Sequence, residues 1–148
     1  MQGSVEYEHP TTEVGSIHEE VHQPNVEPHL HFERIICIAV DASTHSEKAF
    51  KWAVDNIVNP KTDQVILLNV RPYVTNPIIY TAPMVDSTSQ MTPDQYRQVD
   101  FLNKTTSHDL IQKYAQHLIQ RKIKSRGVAL RGDPREEIVY KVNDLKAD

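Results

Sequence analysis

Apolar residues are concentrated after residue 33, in two patterns that alternate along the chain. Continuous apolar runs at residues 35–40 and 65–70 are rich in Ile, Val and Leu, as is typical of strands buried on both faces of a parallel sheet. Between these runs, apolar residues recur at helical spacing over residues 49–58, after a capping-box pattern that starts at Thr44. Strand, helix and strand in succession predict a βαβ unit with a right-handed crossover.

The second half of the chain continues the alternation. A connection over residues 71–93 contains four prolines, and loops of this length are usually functional or mobile. A long helix is predicted from about residue 93 to residue 124, and a short strand at residues 128–130. The first half of the helix is polar, whereas its second half carries one apolar stripe, formed by Leu110, Ile111, Tyr114, Ala115, Leu118, Ile119 and Ile123.

The last predicted helix has a well-defined start. Asp133 is a good N-cap, Pro134 suits the first helical position, and Glu136 can close a capping box. Its buried face is expected to consist of Ile138, Val139, Val142 and Leu145. The order β-α-β-α-β-α predicts an α/β domain with a parallel sheet and helices on both faces. Three strands make a thin sheet for this architecture, so the pattern alone indicates an incomplete domain.

Residues 1–31 differ from the rest in composition. They hold six acidic residues, five of the eight histidines and no Lys or Arg, and their few apolar residues follow no period. We therefore predict a disordered, acidic, His-rich tail over residues 1–31 and a folded domain over residues 32–148. The tail carries a charge of −6 and the remainder +2, so the near-neutral domain gives no electrostatic reason to expect nucleic-acid binding.

Several classes of protein are disfavoured by simple counts. No apolar run is long enough for a membrane span, and the acidic N-terminus does not resemble a signal or transit peptide. We therefore expect a cytoplasmic protein without a membrane partner. The single cysteine, Cys37, excludes an intrachain disulfide and any zinc site that needs two thiolates. Because it lies within an apolar run, Cys37 is expected to be an inert core thiol.

The tail contains one pattern with a chemical meaning. Residues 18–22 read H-E-E-V-H, which fits the H-E-x-x-H motif of zinc proteases. That motif requires a packed helix with both histidines on one face, and a tail interrupted by prolines does not provide one. A solvated tail is the preferred interpretation, incidental metal binding by its histidines is the alternative, and we predict no dedicated metal site.

Three segments carry a resemblance to a known family. ICIAVDASTHSEKAFKW at residues 36–52, VILLNV at 65–70 and GDPREEIV at 132–139 resemble the universal stress protein family of the UspA type. The resemblance covers roughly residues 33–148. It implies a Rossmann-like, three-layer α/β/α fold with five parallel strands in the order 3-2-1-4-5. Only three of these strands have counterparts here, so we expect a C-terminally truncated domain.

The resemblance also implies a ligand. Many family members bind ATP or AMP, and an Asp after the first strand and a Val ending the second contact the nucleoside. The matching residues are Asp41 and Val70, with Ala39 as a further neighbour of the nucleoside. The family's Gly-rich phosphate segment has no counterpart among the four glycines of this chain. We therefore expect binding of ATP or AMP that is weakened or lost, Mg²⁺ only together with ATP, and no catalysis.

An interaction function follows from the predicted order of the strands. With the strand order 3-2-1 the first strand becomes an exposed apolar edge, so we expect self-association, and the alternative function is a protein-interaction module that binds no nucleotide.

A receiver-type phosphoacceptor domain would need an acidic pair where Ala42 follows Asp41. An adenylyl-transferring enzyme would need a glycine-containing loop there. Neither His45 nor the serines at 43 and 46 form a recognisable catalytic set.

Overall fold

The computed structural model describes residues 19–21, 31–74 and 91–148. These residues form four strands and three helices. In chain order they are β1 (Glu19–Val21), β2 (Arg34–Ala39), α1 (Thr44–Asn56), β3 (Asp63–Arg71), α2 (Pro93–Gln120), β4 (Lys124–Arg131) and α3 (Pro134–Asp144). The described helices include none that is long and apolar enough to cross a membrane.

The strands form one sheet in the order β1-β4-β3-β2. The strands β2, β3 and β4 are parallel, which confirms both the α/β class and the predicted order of these three strands. The short strand β1 adds to the outer edge of β4 in antiparallel orientation. Within the predicted tail, Glu19–Val21 form this strand, while residues 1–18 and 22–30 lie outside the described residues.

Helices cover both faces of the sheet, as predicted. On one face, Phe50 and Val54 of α1 and the apolar stripe of α2 pack on inward-facing residues of the strands, including Val65, Leu67 and Ala129. On the other face, α3 packs on Ile66, Leu68, Val128 and Leu130 through Ile138, Val142 and Leu145. The alternation of side chains along a strand explains why successive residues of β3 belong to opposite cores.

The central strand and the edge strand differ in burial. Almost every residue of β3 is buried, which confirms that this apolar run lies between two layers. Residues of β2 are only partly buried or exposed, because no strand follows it on its outer side among the described residues. The prediction that residues 35–40 are buried on both faces is thus wrong, whereas the prediction of an apolar edge is consistent with the structure.

Helix boundaries and faces depart from the sequence pattern at a few positions. The N-cap of α1 is Ser43, whose Oγ accepts from the Ser46 N–H, and not Thr44. Helix α2 starts with a capping box between Thr92 and Gln95 and ends at Gln120. Two residues assigned to buried stripes are exposed: Ile119 by 56% and Val139 by 60%. The strand β4 is also longer than the three residues predicted for it.

An ion pair joins the amino ends of β2 and β3. The guanidinium of Arg34 donates to both oxygens of Asp63, over 3.1 and 2.6 Å. The Asp63 carboxylate also accepts from the Asn59 N–H and the Thr62 hydroxyl. Its side chain is fully buried, whereas 46% of the Arg34 side chain is exposed. These bonds, led by the one from the Arg34 side chain, lower the pKa of Asp63.

Candidate functional site

The carboxyl ends of β2 and β3 meet at one edge of the sheet. Ala39, the last residue of β2, is level with Leu68 of β3. Asp41 lies two residues beyond Ala39, and Val70 lies two residues beyond Leu68, so both residues follow the last register pair of β2 and β3. The structure thus places these two predicted site residues at the same edge of the sheet, while Ala39 is the exposed last residue of β2.

The direction of the crossovers changes at β2. The connections through α1 and α2 lie on one face of the sheet and take the chain from β2 through β3 to β4. The helix α3 lies on the other face and takes the chain back towards β2. After α3, the Asp148 N–H donates to the Ile35 carbonyl over 2.9 Å, on the outer side of β2. In open α/β sheets, ligands bind beyond the carboxyl ends of the strands where this direction changes. Asp41 follows β2 at that point.

A ring of hydrogen bonds shapes the turn that carries Asp41. Its carboxylate Oδ1 accepts from the Ser43 N–H over 2.7 Å, and the Ser43 Oγ accepts from the Ser46 N–H. The Ser46 Oγ in turn accepts from the Asp41 N–H over 2.9 Å. The exposed carboxylate is therefore held in one orientation at the start of α1.

The electrostatic surroundings of Asp41 favour its charged form. Hydrogen bonds from the Ser43 side chain and then from the Ser43 N–H lower the pKa of Asp41, and the charge of His45 adds to the effect. A carboxylate at neutral pH is an acceptor for hydroxyl groups such as those of a ribose. His45 and Ser46 thus contribute to the shape and charge of the turn.

A groove of about 210 Å³ lies beside this turn. It is lined by residues that follow β2, by the end of β3 and by one face of α2, namely Ala42, Asn69, Val70, Arg71, Pro72, Asn103, Thr106, Ser107 and Leu110. Small-molecule pockets usually measure about 300–1,000 Å³, so this groove is smaller than a typical ligand pocket.

Reasoning from the sequence missed the contribution of α2 to this groove. Asn103, Thr106, Ser107 and Leu110 are spaced by three or four residues, so they lie on one face of the helix. This spacing is the signal that could have identified them. Three polar residues that weaken the apolar pattern of α2, namely Asn103, Thr106 and Ser107, thus line the groove.

The amino end of α3 offers little to a phosphate. A cavity of about 540 Å³ lies there, lined by Pro72, Tyr73 and residues 132–135. However, the Asp133 carboxylate accepts from the Arg135 N–H over 2.9 Å and already occupies the helix end. The hydrogen bond from the Arg135 N–H, and after it the bond from the Arg135 side chain, lower the pKa of Asp133. The amino end of α3 therefore already has a negative charge beside it.

The remaining candidates from the sequence are metal ligands and the thiol of Cys37. The described residues contain no cluster of three or more His, Cys, Asp or Glu side chains that could hold a metal ion. His18 and His22 lie outside the described residues, but Glu19–Val21 between them form a strand and not the helix that H-E-x-x-H requires. Cys37 is only partly buried, contrary to the predicted core position, and burial raises the pKa of its thiol.

Comparison with known proteins identifies the family. No curated protein shows significant similarity to the chain. A crystal structure of a universal stress protein family protein from Arabidopsis thaliana, with AMP bound, is similar in fold. Its TM-score is 0.56 at 20% sequence identity, over 78% of this chain and 72% of that chain. The family model described as the universal stress protein family matches residues 33–148. The chain therefore belongs to the universal stress protein family.

Proposed function

We propose that this protein binds the nucleoside part of an adenine nucleotide beyond the carboxyl ends of β2 and β3. The observation that carries the proposal is that Asp41 and Val70 both follow the last register pair of β2 and β3, at the edge where the crossover direction changes. In this proposal Asp41 accepts hydrogen bonds from ribose hydroxyls, Val70 lines the groove, and Ala39 contributes the exposed end of β2. The bound AMP of the Arabidopsis thaliana protein, whose fold is similar, supports the choice of ligand.

The phosphates are proposed to contribute little to binding. Phosphate sites usually present a series of backbone N–H groups, often supported by glycines, at the start of a helix. In the described part of the chain, the starts of α1 and α3 are capped by Ser43 and Asp133. The groove itself is smaller than a typical ligand pocket. We therefore expect weak binding that is similar for adenosine, AMP and ATP, with Mg²⁺ acting only on ATP.

Calorimetric titration of the full chain with adenosine, AMP and ATP tests the proposal. We expect the three dissociation constants to agree within about tenfold, because a larger difference would need more than about 1.4 kcal/mol from the phosphates. Replacing Asp41 by alanine removes a charged acceptor, which is worth about 1.5–3 kcal/mol, so adenosine should bind about tenfold more weakly or worse.

Asp109→Ala is the matched control for this experiment. Asp109 is exposed on α2 and does not line the groove, so its loss changes the net charge equally and leaves the site intact. Its adenosine affinity should equal that of the wild type. Absence of binding heat with all three ligands, or equal affinity of the Asp41→Ala variant and the wild type, contradicts the proposal.

The outer edge of β2 favours a second function, self-association. The Ile35 N–H donates to the Asp148 carboxylate, and its carbonyl accepts from the Asp148 N–H, so Ile35 directs its backbone away from β3. Hydrogen-bonding direction alternates along a strand, and Cys37 and Ala39 therefore point their backbone groups to the same open side. An open apolar edge of this kind pairs readily with another chain.

Sedimentation velocity over a range of protein concentrations tests self-association. We expect concentration-dependent dimers that Ala39→Lys weakens about tenfold, since a lysine on an edge strand opposes pairing. The control is Val139→Lys, which places the same charge at an exposed apolar position on α3, away from this edge. Equal weakening by both variants would indicate unspecific association, and a monomer at all concentrations would exclude this function.

A further inference from the structure

Two backbone carbonyls at the end of β2 are held by buried side chains of other elements. The last hydrogen bond between β2 and β3 is from the Val40 N–H to the Leu68 carbonyl, over 2.8 Å. Beyond it, the Val40 carbonyl accepts from the Asn69 side-chain amide over 2.8 Å. The next carbonyl, that of Asp41, accepts from the Tyr114 hydroxyl over 3.3 Å. Side chains thus replace the sheet hydrogen bonds where β2 leaves the sheet.

A third side chain sets the orientation of the amide. The Ser107 hydroxyl donates to the Asn69 Oδ1 over 2.5 Å, which leaves the amide nitrogen to face the Val40 carbonyl. Asn69, Ser107 and Tyr114 are 8%, 3% and 3% exposed. A buried polar group left without a partner costs about 1–3 kcal/mol, so these bonds define one arrangement of the three side chains.

Both peptide groups next to Asp41 are therefore held from α2 and β3. Asn69 holds the carbonyl before Asp41, and Tyr114 holds the carbonyl of Asp41 itself. The Asp41 N–H is bound to Ser46 within the turn. With these groups held, the backbone angles of Asp41, and hence the direction of its carboxylate, depend on the position of α2.

We propose that Asn69, Ser107 and Tyr114 are positioning residues for the Asp41 carboxylate and act through the two carbonyls at the end of β2. As far as it concerns ligand binding, this inference rests on the proposed nucleoside site. It goes beyond that proposal because it assigns a role in binding to residues of α2, and to the one buried asparagine of β3. Asn69 and Ser107 also line the groove, so a ligand there lies against this network.

The first test is independent of any ligand. The Asp41 carboxyl group is titrated by NMR in the wild type and in the Ser107→Ala and Tyr114→Phe variants. Tyr114→Phe keeps the edge-to-face contact with Phe50, at 4.8 Å between ring centroids, and removes only the hydroxyl. We expect the depressed pKa of Asp41 to rise towards its ordinary value in both variants, because the bonds from Ser43 lengthen when the turn shifts.

The matched controls are Thr105→Ala and Tyr96→Phe. The Thr105 hydroxyl donates to the Phe101 carbonyl within α2, and Tyr96 lies in the first turns of the same helix. Neither lines the groove or touches the network around Asp41. The pKa of Asp41 should be unchanged in both. An unchanged value in the Ser107→Ala and Tyr114→Phe variants as well would overturn the inference.

The second test uses adenosine as the probe. Loss of one hydrogen bond in the network should weaken adenosine binding about three- to tenfold. In an Asp41→Ala background, Tyr114→Phe should cause no further loss, because its effect passes through Asp41. Further loss in that background would mean a direct or purely structural role and contradict the inference.

The two tests separate the inference from the proposed function. If adenosine binds the wild type and Ser107→Ala binds it equally well, the proposed function stands and the inference fails. If adenosine does not bind at all, the proposed function fails, and the titration of Asp41 alone decides whether the three residues position its carboxylate.

Discussion

Replacing Arg34 by methionine is expected to lower the free energy of unfolding by about 3 kcal/mol at neutral pH. The change leaves the Asp63 carboxylate fully buried with only the Asn59 N–H and the Thr62 hydroxyl as partners. Removing one partner of a buried ion pair is costly because the remaining charge is neither hydrated nor compensated. Urea unfolding followed by far-ultraviolet circular dichroism measures the effect. Fluorescence is less suitable because the single tryptophan, Trp52, is 60% exposed.

Replacing Asp63, the other partner of the ion pair, should lower the free energy of unfolding by less. In the Asp63→Asn variant the remaining charge is the Arg34 guanidinium, which is 46% exposed and can be hydrated, so we expect a loss of about 1–2 kcal/mol. The exposed pair of Lys51 and Glu47, at 2.7 Å, is the control, and Lys51→Met should change stability by less than about 1 kcal/mol. Equal losses for Arg34→Met and Asp63→Asn would contradict this explanation.

The difference between the wild type and Arg34→Met should depend on pH. The pKa of Asp63 is lower in the folded protein than its ordinary value, chiefly because of the hydrogen bond from Arg34. The stabilisation is therefore complete above the pKa of the unfolded state, about 3.9, and is lost as the pH falls through the folded value. In the variant, burial favours the neutral acid, so the two proteins should become more similar in stability below about pH 4. A constant difference from pH 7 to pH 3 would argue against the charge as its cause.

Leu118→Ala is expected to have the largest effect of any single change in α2. Leu118 is fully buried in the core between α2 and the sheet. Truncating a buried leucine removes apolar contacts and leaves a cavity, which costs about 2–5 kcal/mol. The same urea experiment measures this loss.

The neighbouring residue provides the control. Ile119 belongs to the same apolar stripe by sequence, but it is 56% exposed. Ile119→Ala should change stability by less than about 0.5 kcal/mol. A loss of 2 kcal/mol or more in this variant would mean that this face of α2 is covered in solution, for example by another chain.

The contrast between Leu118 and Ile119 illustrates what the sequence could predict. The apolar runs and the helical spacing were sufficient for β2, β3, α2 and α3, because packing between sheet and helices gives each type of element its own apolar pattern. The spacing could not decide between adjacent apolar residues at the border of a stripe, because that depends on where the sheet ends. The strand β1 was not predictable, since its three residues pair with an edge of β4 and carry no pattern of their own.

The residues of the candidate site also fall into those that the sequence could identify and those that it could not. Asp41, Val70 and Ala39 could be selected because their positions after apolar runs match a family motif. The structure adds that Asp41 and Val70 both follow the last register pair of β2 and β3, Ala39 and Leu68. Asn69 could not be selected, because a buried polar residue depends on partners from other elements, whereas Ser107 is marked only by its spacing from Asn103 and Leu110 on α2. In sequence, both Asn69 and Ser107 interrupt apolar patterns.

The register of the sheet also has a consequence for the order of folding. Arg34 of β2 pairs with Asp63 of β3, whereas Gln64 of β3 pairs with Lys124 of β4, about twice as far along the chain. Doubling the length of a loop adds about 0.6 kcal/mol to the entropy cost of closing it. We therefore expect the segment from β2 to β3 to assemble first and the crossover through α2 to the parallel strand β4 to dock afterwards. The bonds from Tyr114 and Ser107 of α2, which orient Asp41, would then form last.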